Sequence, residues 1–237
     1  MLFRSIFKLK KLLAIFDLKI QRIDTPMRSL EGGLERLAKY LNVRSVIDIG
    51  VANGTPELYR AFPSDKYRYL LVEADPANRN VVESLARTMH ADFEMTFCGA
   101  EEGSIRLNTH ANSEYSSAFT LLAPHRQTGI VKVPVKTLDR LVLEKDLEKP
   151  YIIKIDVEGA ELEVIKGAAQ TLRHAEAVII ETSIAKKYDS GAEFGDVVYA
   201  MREYGFSVFD MLAGANRNNK LYQCDVVFVR TDAEFRA

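Results

Sequence analysis

From residue 45 onward, short apolar runs alternate with stretches of helical period. Residues 45–49, 69–73, 93–97, 151–156, 177–181, 206–210 and 225–230 read as strands. The run 151–156 has the near-continuous apolar character of a strand covered on both faces. Between the strands, 55–61, 76–89, 137–143, 161–166 and 196–204 read as helices. Pro76 suits a first turn, Gly205 a stop, and Gly167 the left-handed cap of the helix over 161–166. Upstream, Leu30, Leu34, Leu37, Ala38 and Leu41 put an apolar face on a helix over 27–41. The stretch 103–135 breaks the alternation. There 104–109, 117–122 and 130–135 look like short strands, forming an insertion or hairpin at the edge of a site. Strand–helix–strand alternation predicts an α/β sandwich with a mainly parallel sheet. Ligands of such sheets sit beyond the carboxyl ends of the strands.

The first residues follow a different pattern. Leu2, Ile6, Leu9, Leu13, Phe16 and Ile20 form a stripe, while Arg4, Lys8 and Lys11 fall on another face. We read residues 1–24 as a basic amphipathic helix ahead of a domain spanning 25–237. The helix either packs on protein, the domain itself or a second copy in a homodimer, or lies on an anionic membrane surface. The second reading would put the chain peripherally at the inner face of a membrane. Lys8, Lys10 and Lys11 interrupt any secretory apolar run, and nothing reaches the roughly 18 apolar residues of a spanning helix. With 47% hydrophobic residues and a net charge of -1, the chain is of ordinary globular composition and gives no reason to seek nucleic acid. Its two cysteines, Cys98 and Cys224, stand far apart, and its four histidines are scattered singly. Neither set makes a disulfide framework or a metal cluster, so a reducing, cytoplasmic setting is expected.

Candidate chemistry lies after the strands. The first ends in Val46-Ile47-Asp48-Ile49-Gly50-Val51-Ala52-Asn53-Gly54, a glycine-bracketed turn into a helix. The second ends at Glu73, 19 residues past Gly54, where an acid can accept from ribose hydroxyls. A nucleoside cofactor follows. A dinucleotide would want a second glycine where Ala52 stands, and Asp48 would repel its pyrophosphate. S-adenosylmethionine, a sulfonium with an ammonium and no phosphate, suits these residues better.

The strand at 151–156 carries Lys154 and Asp156 on one face and is followed by Glu158-Gly159-Ala160-Glu161. A buried Lys needs a partner, and this pair lies at the ligand-bearing edge. The next strand adds Glu181 to the same rim. Asp156 is the first candidate for a general base, with Glu158, Glu181 and His110 behind it. Ser116 and Ser117 are candidates to bind a polar substrate, and Lys154 joins them. Glu161 is read only as a first-turn acid. No metal ligands are assigned, although a divalent metal bridging Asp156 and Glu181 stays open.

The run Lys154-Ile155-Asp156-Val157-Glu158-Gly159-Ala160-Glu161-Leu162-Glu163-Val164 resembles the signature of FkbM-type methyltransferases. Glu73-Ala74-Asp75-Pro76, Val133-Pro134-Val135-Lys136-Thr137-Leu138-Asp139 and Ser116-Ser117 look like that family's other marks, in the same order. The resemblance covers roughly 27–230. It implies a Rossmann-like class I methyltransferase sandwich, a seven-stranded, mainly parallel sheet with a reversed final strand. It also implies methyl transfer from S-adenosylmethionine to a hydroxyl of a sugar, glycan or natural product. Carried over, Asp48, Gly50, Asn53 and Gly54 would hold the methionine end, and Glu73 the ribose. Cys98 and Gly99 would line the adenine, and Asp156 would lie near the methyl. The competing readings are an NAD(P)-dependent oxidoreductase on a related sheet and a non-catalytic, methyltransferase-like binding subunit.

Overall fold

The computed structural model describes residues 29–122, 127–212, 214–217 and 219–236. The helix expected over 1–24 lies outside them. The described chain runs α1 (Leu30–Leu37), β1 (Ser45–Ile49), α2 (Pro56–Ala61), β2 (Arg68–Glu73), α3 (Arg79–Met89), β3 (Asp92–Met95), β4 (Phe97–Cys98), β5 (Gly103–His110), β6 (Gln127–Lys136), α4 (Leu138–Glu144), β7 (Tyr151–Ile155), α5 (Glu161–Lys166), β8 (Ala175–Ser183), α6 (Phe194–Glu203), β9 (Phe206–Met211), β10 (Ala215–Arg217) and β11 (Lys220–Arg230). Among these residues no helix is long and apolar enough to cross a membrane.

The two-residue period of the strands sorts their side chains into two cores. Ile47, Ile49, Leu70, Val72, Ile153, Ile155, Val178 and Ile180 face one side, where they meet Leu138 and Leu141 of α4, Val164 and Ile165 of α5, and Val197 and Met201 of α6. Val46, Tyr69, Leu71, Ile152, Ala177 and Ile179 face the other, against Leu34 and Leu37 of α1, Leu58 of α2, and Val82 and Ala86 of α3. β1 and β7 are buried at every position, as strands covered on both faces must be.

The sheet order is β10-β11-β8-β7-β1-β2-β3, with β9 on the outer side of β11. β3, β2, β1, β7 and β8 are parallel. β11 runs antiparallel to β8 and is the reversed final strand. Seven of the eight strands form the expected set; the three-residue β10, paired antiparallel with the start of β11, is the eighth. The parallel strands thus deliver their carboxyl ends, and β11 its amino end, to one rim.

Three local expectations need correction. The strand expected over 93–97 divides at Thr96, which is buried and donates its hydroxyl to the Pro134 carbonyl. β3 stays in the main sheet, while β4 joins β5 and β6 in a separate three-stranded sheet. Residues 117–122 form no strand; they hold only the isolated bridges Asn108–Ser117 and Leu121–Tyr188. The helix expected from 76 opens as a single 3-10 turn, Pro76–Asn78, before α3.

Gly167 is not a left-handed cap either, since its φ is -76°. It is glycine because of a close approach: a Cβ there would stand 2.0 Å from the Gly99 carbonyl oxygen. Gly167→Ala should therefore cost at least ~2 kcal/mol. Gly167→Asn, which a left-handed cap would tolerate, should cost as much or more. Urea denaturation of both variants checks this.

Candidate active site

The turn between β1 and α2 brings the backbone of two strand ends together. Gly50 sits at φ +84°, and a Cβ there would lie 1.7 Å from the Asp156 carbonyl oxygen. Only glycine permits that contact. Ala52 takes a left-handed φ of 44° at the position where a second glycine would otherwise stand. Its amide donates to Glu73 Oε2 at 2.7 Å, and the Asp75 amide donates to Glu73 Oε1 at 2.6 Å. Glu73 is buried, which raises its pKa, and these two amides oppose the rise. Each of its oxygens keeps a lone pair for a further donor.

Beside this loop lies a cluster organised by Lys154. Lys154 is 2% exposed, and its Nζ stands 3.1 Å from both Asp156 Oδ2 and Asp225 Oδ1. Register explains the grouping. Asp48 lies opposite Lys154 across β1 and β7, and Glu181 opposite Asp225 across β8 and β11. Burial pulls the Lys154 ammonium down, but the charges of Asp156, Asp225 and Glu181 more than reverse it, and its pKa rises overall. Glu181 is pushed up to about 8, chiefly by burial and then by the charge of Asp156. Asp48 is fully buried and raised by that burial. It accepts the Tyr59 hydroxyl on Oδ2 at 2.6 Å, while its Oδ1 has no hydrogen-bond partner among the described residues.

The segment 112–122, between β5 and β6, arches over this rim. Asn53 Nδ2 donates to Glu114 Oε1 at 3.3 Å. The Ser116 hydroxyl donates to Asp75 Oδ2 at 2.7 Å, and the Ser117 hydroxyl to the Glu158 carbonyl at 2.6 Å. Beyond β8, Lys187 ion-pairs with Glu158 Oε2, which also accepts the Tyr188 hydroxyl at 2.8 Å.

These elements enclose a cavity of about 240 Å³. Of the sequence-predicted residues, Gly50, Asn53, Gly54, Glu73, Cys98, Ser116, Asp156, Glu158 and Glu181 line it. Asp48 and Lys154 lie beneath it, in the sheet. Ser117 is buried behind it, His110 ends β5 away from it, and Gly99 packs against Gly167 instead. Sequence reasoning missed Tyr115, Gln223, Tyr59, Lys187 and Tyr188. Lys187 and Tyr188 were within reach of the strand-end rule, since they follow β8. Gln223 was not, because it stands at the incoming end of the one reversed strand on the rim.

The donor set bears on the cofactor. Six carboxylates line the cavity, those of Glu73, Asp75, Glu114, Asp156, Glu158 and Glu181, and no Lys or Arg does so among the described residues. That wall attracts a cationic sulfonium and ammonium and offers a pyrophosphate no counter-charge, so S-adenosylmethionine fits it. Asp156, Glu158 and Glu181 also bring oxygens within 4.8 Å of one another, a metal-like spacing. Asp156 Oδ2 and Glu158 Oε2 are already engaged by the Lys154 and Lys187 ammonium groups, so a divalent ion there would share two of its three carboxylates with a cation already bound.

Comparison with known proteins agrees with this chemistry. The profile described as "Methyltransferase FkbM domain" matches residues 48–208, more than half of the chain. The hexuronic acid methyltransferase AglP of Haloferax volcanii is 39% identical over 59 residues, which are 24% of this chain and 25% of that protein. The chain thus matches about a quarter of its length. Among solved structures, an S-adenosylmethionine-dependent methyltransferase from Clostridium acetobutylicum overlays with a TM-score of 0.47 at 8% identity, covering 93% of this chain and 98% of that one. Magnesium protoporphyrin IX methyltransferase from Synechocystis, with bound S-adenosylmethionine, overlays with a TM-score of 0.46 at 11% identity, covering 84% and 79%. The profile match, reached independently of the cavity, shows that the chain belongs to the FkbM methyltransferase family.

Proposed function

We propose that this chain methylates a hydroxyl of a sugar, glycan or natural product. The observation that carries the reading is the cavity wall, which is carboxylate-rich and holds buried Glu73 on one side and the Asp156–Glu181 pair on the other. The name of the Haloferax relative points to a sugar acid. The acidic wall here favours an acceptor whose surroundings carry no negative charge near the reacting hydroxyl.

Bound S-adenosylmethionine supplies an electrophilic methyl group on a positively charged sulfur. This chain's residues then have three tasks. Glu73 accepts from the ribose hydroxyls with its remaining lone pairs, and the left-handed turn at Gly50 to Gly54 lets the methionine end approach the backbone closely. Asp156 is held at the rim by its ion pair with Lys154. Glu181 removes the acceptor's proton. A base works best when its pKa lies near the operating pH, and Glu181, pushed up to about 8, meets that condition better than an ordinary carboxylate. Alignment of the acceptor oxygen with the methyl supplies much of the remaining rate.

Calorimetry should show binding of S-adenosylhomocysteine and none of NADH; Glu73→Gln should weaken the former by roughly tenfold or more, the worth of a charged hydrogen bond. A base must lose its own proton first, so kcat for a saccharide panel should rise as pH climbs through about 8. Glu181→Gln should lower kcat by about 100-fold and flatten that rise. Turnover should persist after exhaustive chelation with EDTA.

A further inference from the structure

Glu158 is the most constrained side chain on the rim, and nothing in the mechanism so far explains why. It is not a glycine, yet its φ is +52°. Such a conformation costs about 1–3 kcal/mol and persists only where its surroundings enforce it. Here they do so from every side. The Ser117 hydroxyl donates to the Glu158 carbonyl, and the next amide, that of Gly159, donates to Glu161 Oε1 at 2.9 Å. Lys187 and the Tyr188 hydroxyl both bind one carboxylate oxygen, Oε2. Lys187 is itself fixed: its Nζ also donates to Gln223 Oε1 at 3.0 Å, and it lies 5.4 Å from the centroid of the Tyr115 ring. Glu158 lines the cavity, and no described hydrogen bond reaches its other oxygen, Oε1.

We propose that Lys187 is a positioning residue, holding Glu158 by one oxygen so that the other, Oε1, faces the cleft and orients the acceptor hydroxyl. The inference rests on the methyl-transfer reading. It assigns the acceptor end of the cleft to the meeting point of four elements: the turn after β7, the loop after β8, the start of β11 and the arch at Tyr115. Lys187 acts through charge as well as geometry. Burial raises the Glu158 carboxyl, as does neighbouring Asp156, while Lys187 and Tyr188 draw it back down. Glu161 and Glu181 are the other acids that sense Glu158. Without Lys187, three acids and one phenol would surround a carboxylate left with no cation of its own.

The test uses the full chain. Carboxyl-carbon NMR, with the Glu158 signal assigned through Glu158→Gln, follows the Glu158 titration in wild type, Lys187→Met and Lys187→Arg. Lys187→Met should move the midpoint up by about one pH unit or more and lower kcat roughly tenfold or more. KM for S-adenosylmethionine should change less than about twofold. Lys187→Arg should recover most of both. The Lys187→Met/Glu158→Gln double variant should be no slower than Glu158→Gln alone, because the first residue works through the second. An unmoved midpoint, or additive losses in the double variant, overturns the proposal. Wild-type protein that binds no S-adenosylhomocysteine would instead sink the methyl-transfer reading.

Discussion

A buried ammonium cannot stay charged without carboxylates around it, and Lys154 imposes that requirement on the middle of the sheet. Its strand is otherwise apolar and sealed on both faces. The answering acids come from four strands or their ends, with Asp48 on β1, Asp156 after β7, Glu181 on β8 and Asp225 on β11. One positive charge cannot satisfy four negative ones. Asp156 and Asp225 make the direct ion pairs, while Glu181 is pushed up chiefly by burial and then by the charge of Asp156. A residue that would be a poor choice for stability alone thereby gathers the acids of the rim. Removing one partner of such a pair costs about 3–5 kcal/mol, so the cluster has little freedom to drift.

Much of this was legible in the amino-acid sequence. The near-continuous apolar run of β7 announced a strand covered on both faces, and the acids at the ends of β1, β2, β7 and β8 announced where to look. The failures share a physical cause. Whether residues 93–97 form one strand or two depends on Thr96 reaching Pro134, and local periodicity carries no record of a partner 38 residues away. The glycine at 167 was read from its place after a helix, but the constraint comes from Gly99 across the fold. Gln223 escaped because a reversed strand presents its beginning, rather than its end, to the rim. His110 was attractive as an isolated histidine near the inserted segment, and only the path of β5 carries it clear of the cavity.

The cavity has two walls of different origin. One is the main sheet, whose strand ends are fixed by two hydrophobic cores. The other is the small sheet of β4, β5 and β6 with its arching segment, which packs around a satellite cluster of Phe97, Leu107, Val133 and Ala160. The arch is attached to the first wall by polar contacts at Asn53, Asp75 and Glu158 and by backbone bonds between residues 120–122 and 187–189. Five of the six carboxylates belong to the first wall, and the arch adds only Glu114.

Cys98 lines the same cavity. A thiolate is a far better nucleophile than an alcohol, so on the methyl-transfer reading this sulfur is a latent target for the methyl donor. Its enclosure pushes the thiol up to about 12, which keeps it protonated and inert. The same enclosure that places a nucleophilic atom beside the cavity thus withholds its reactive form.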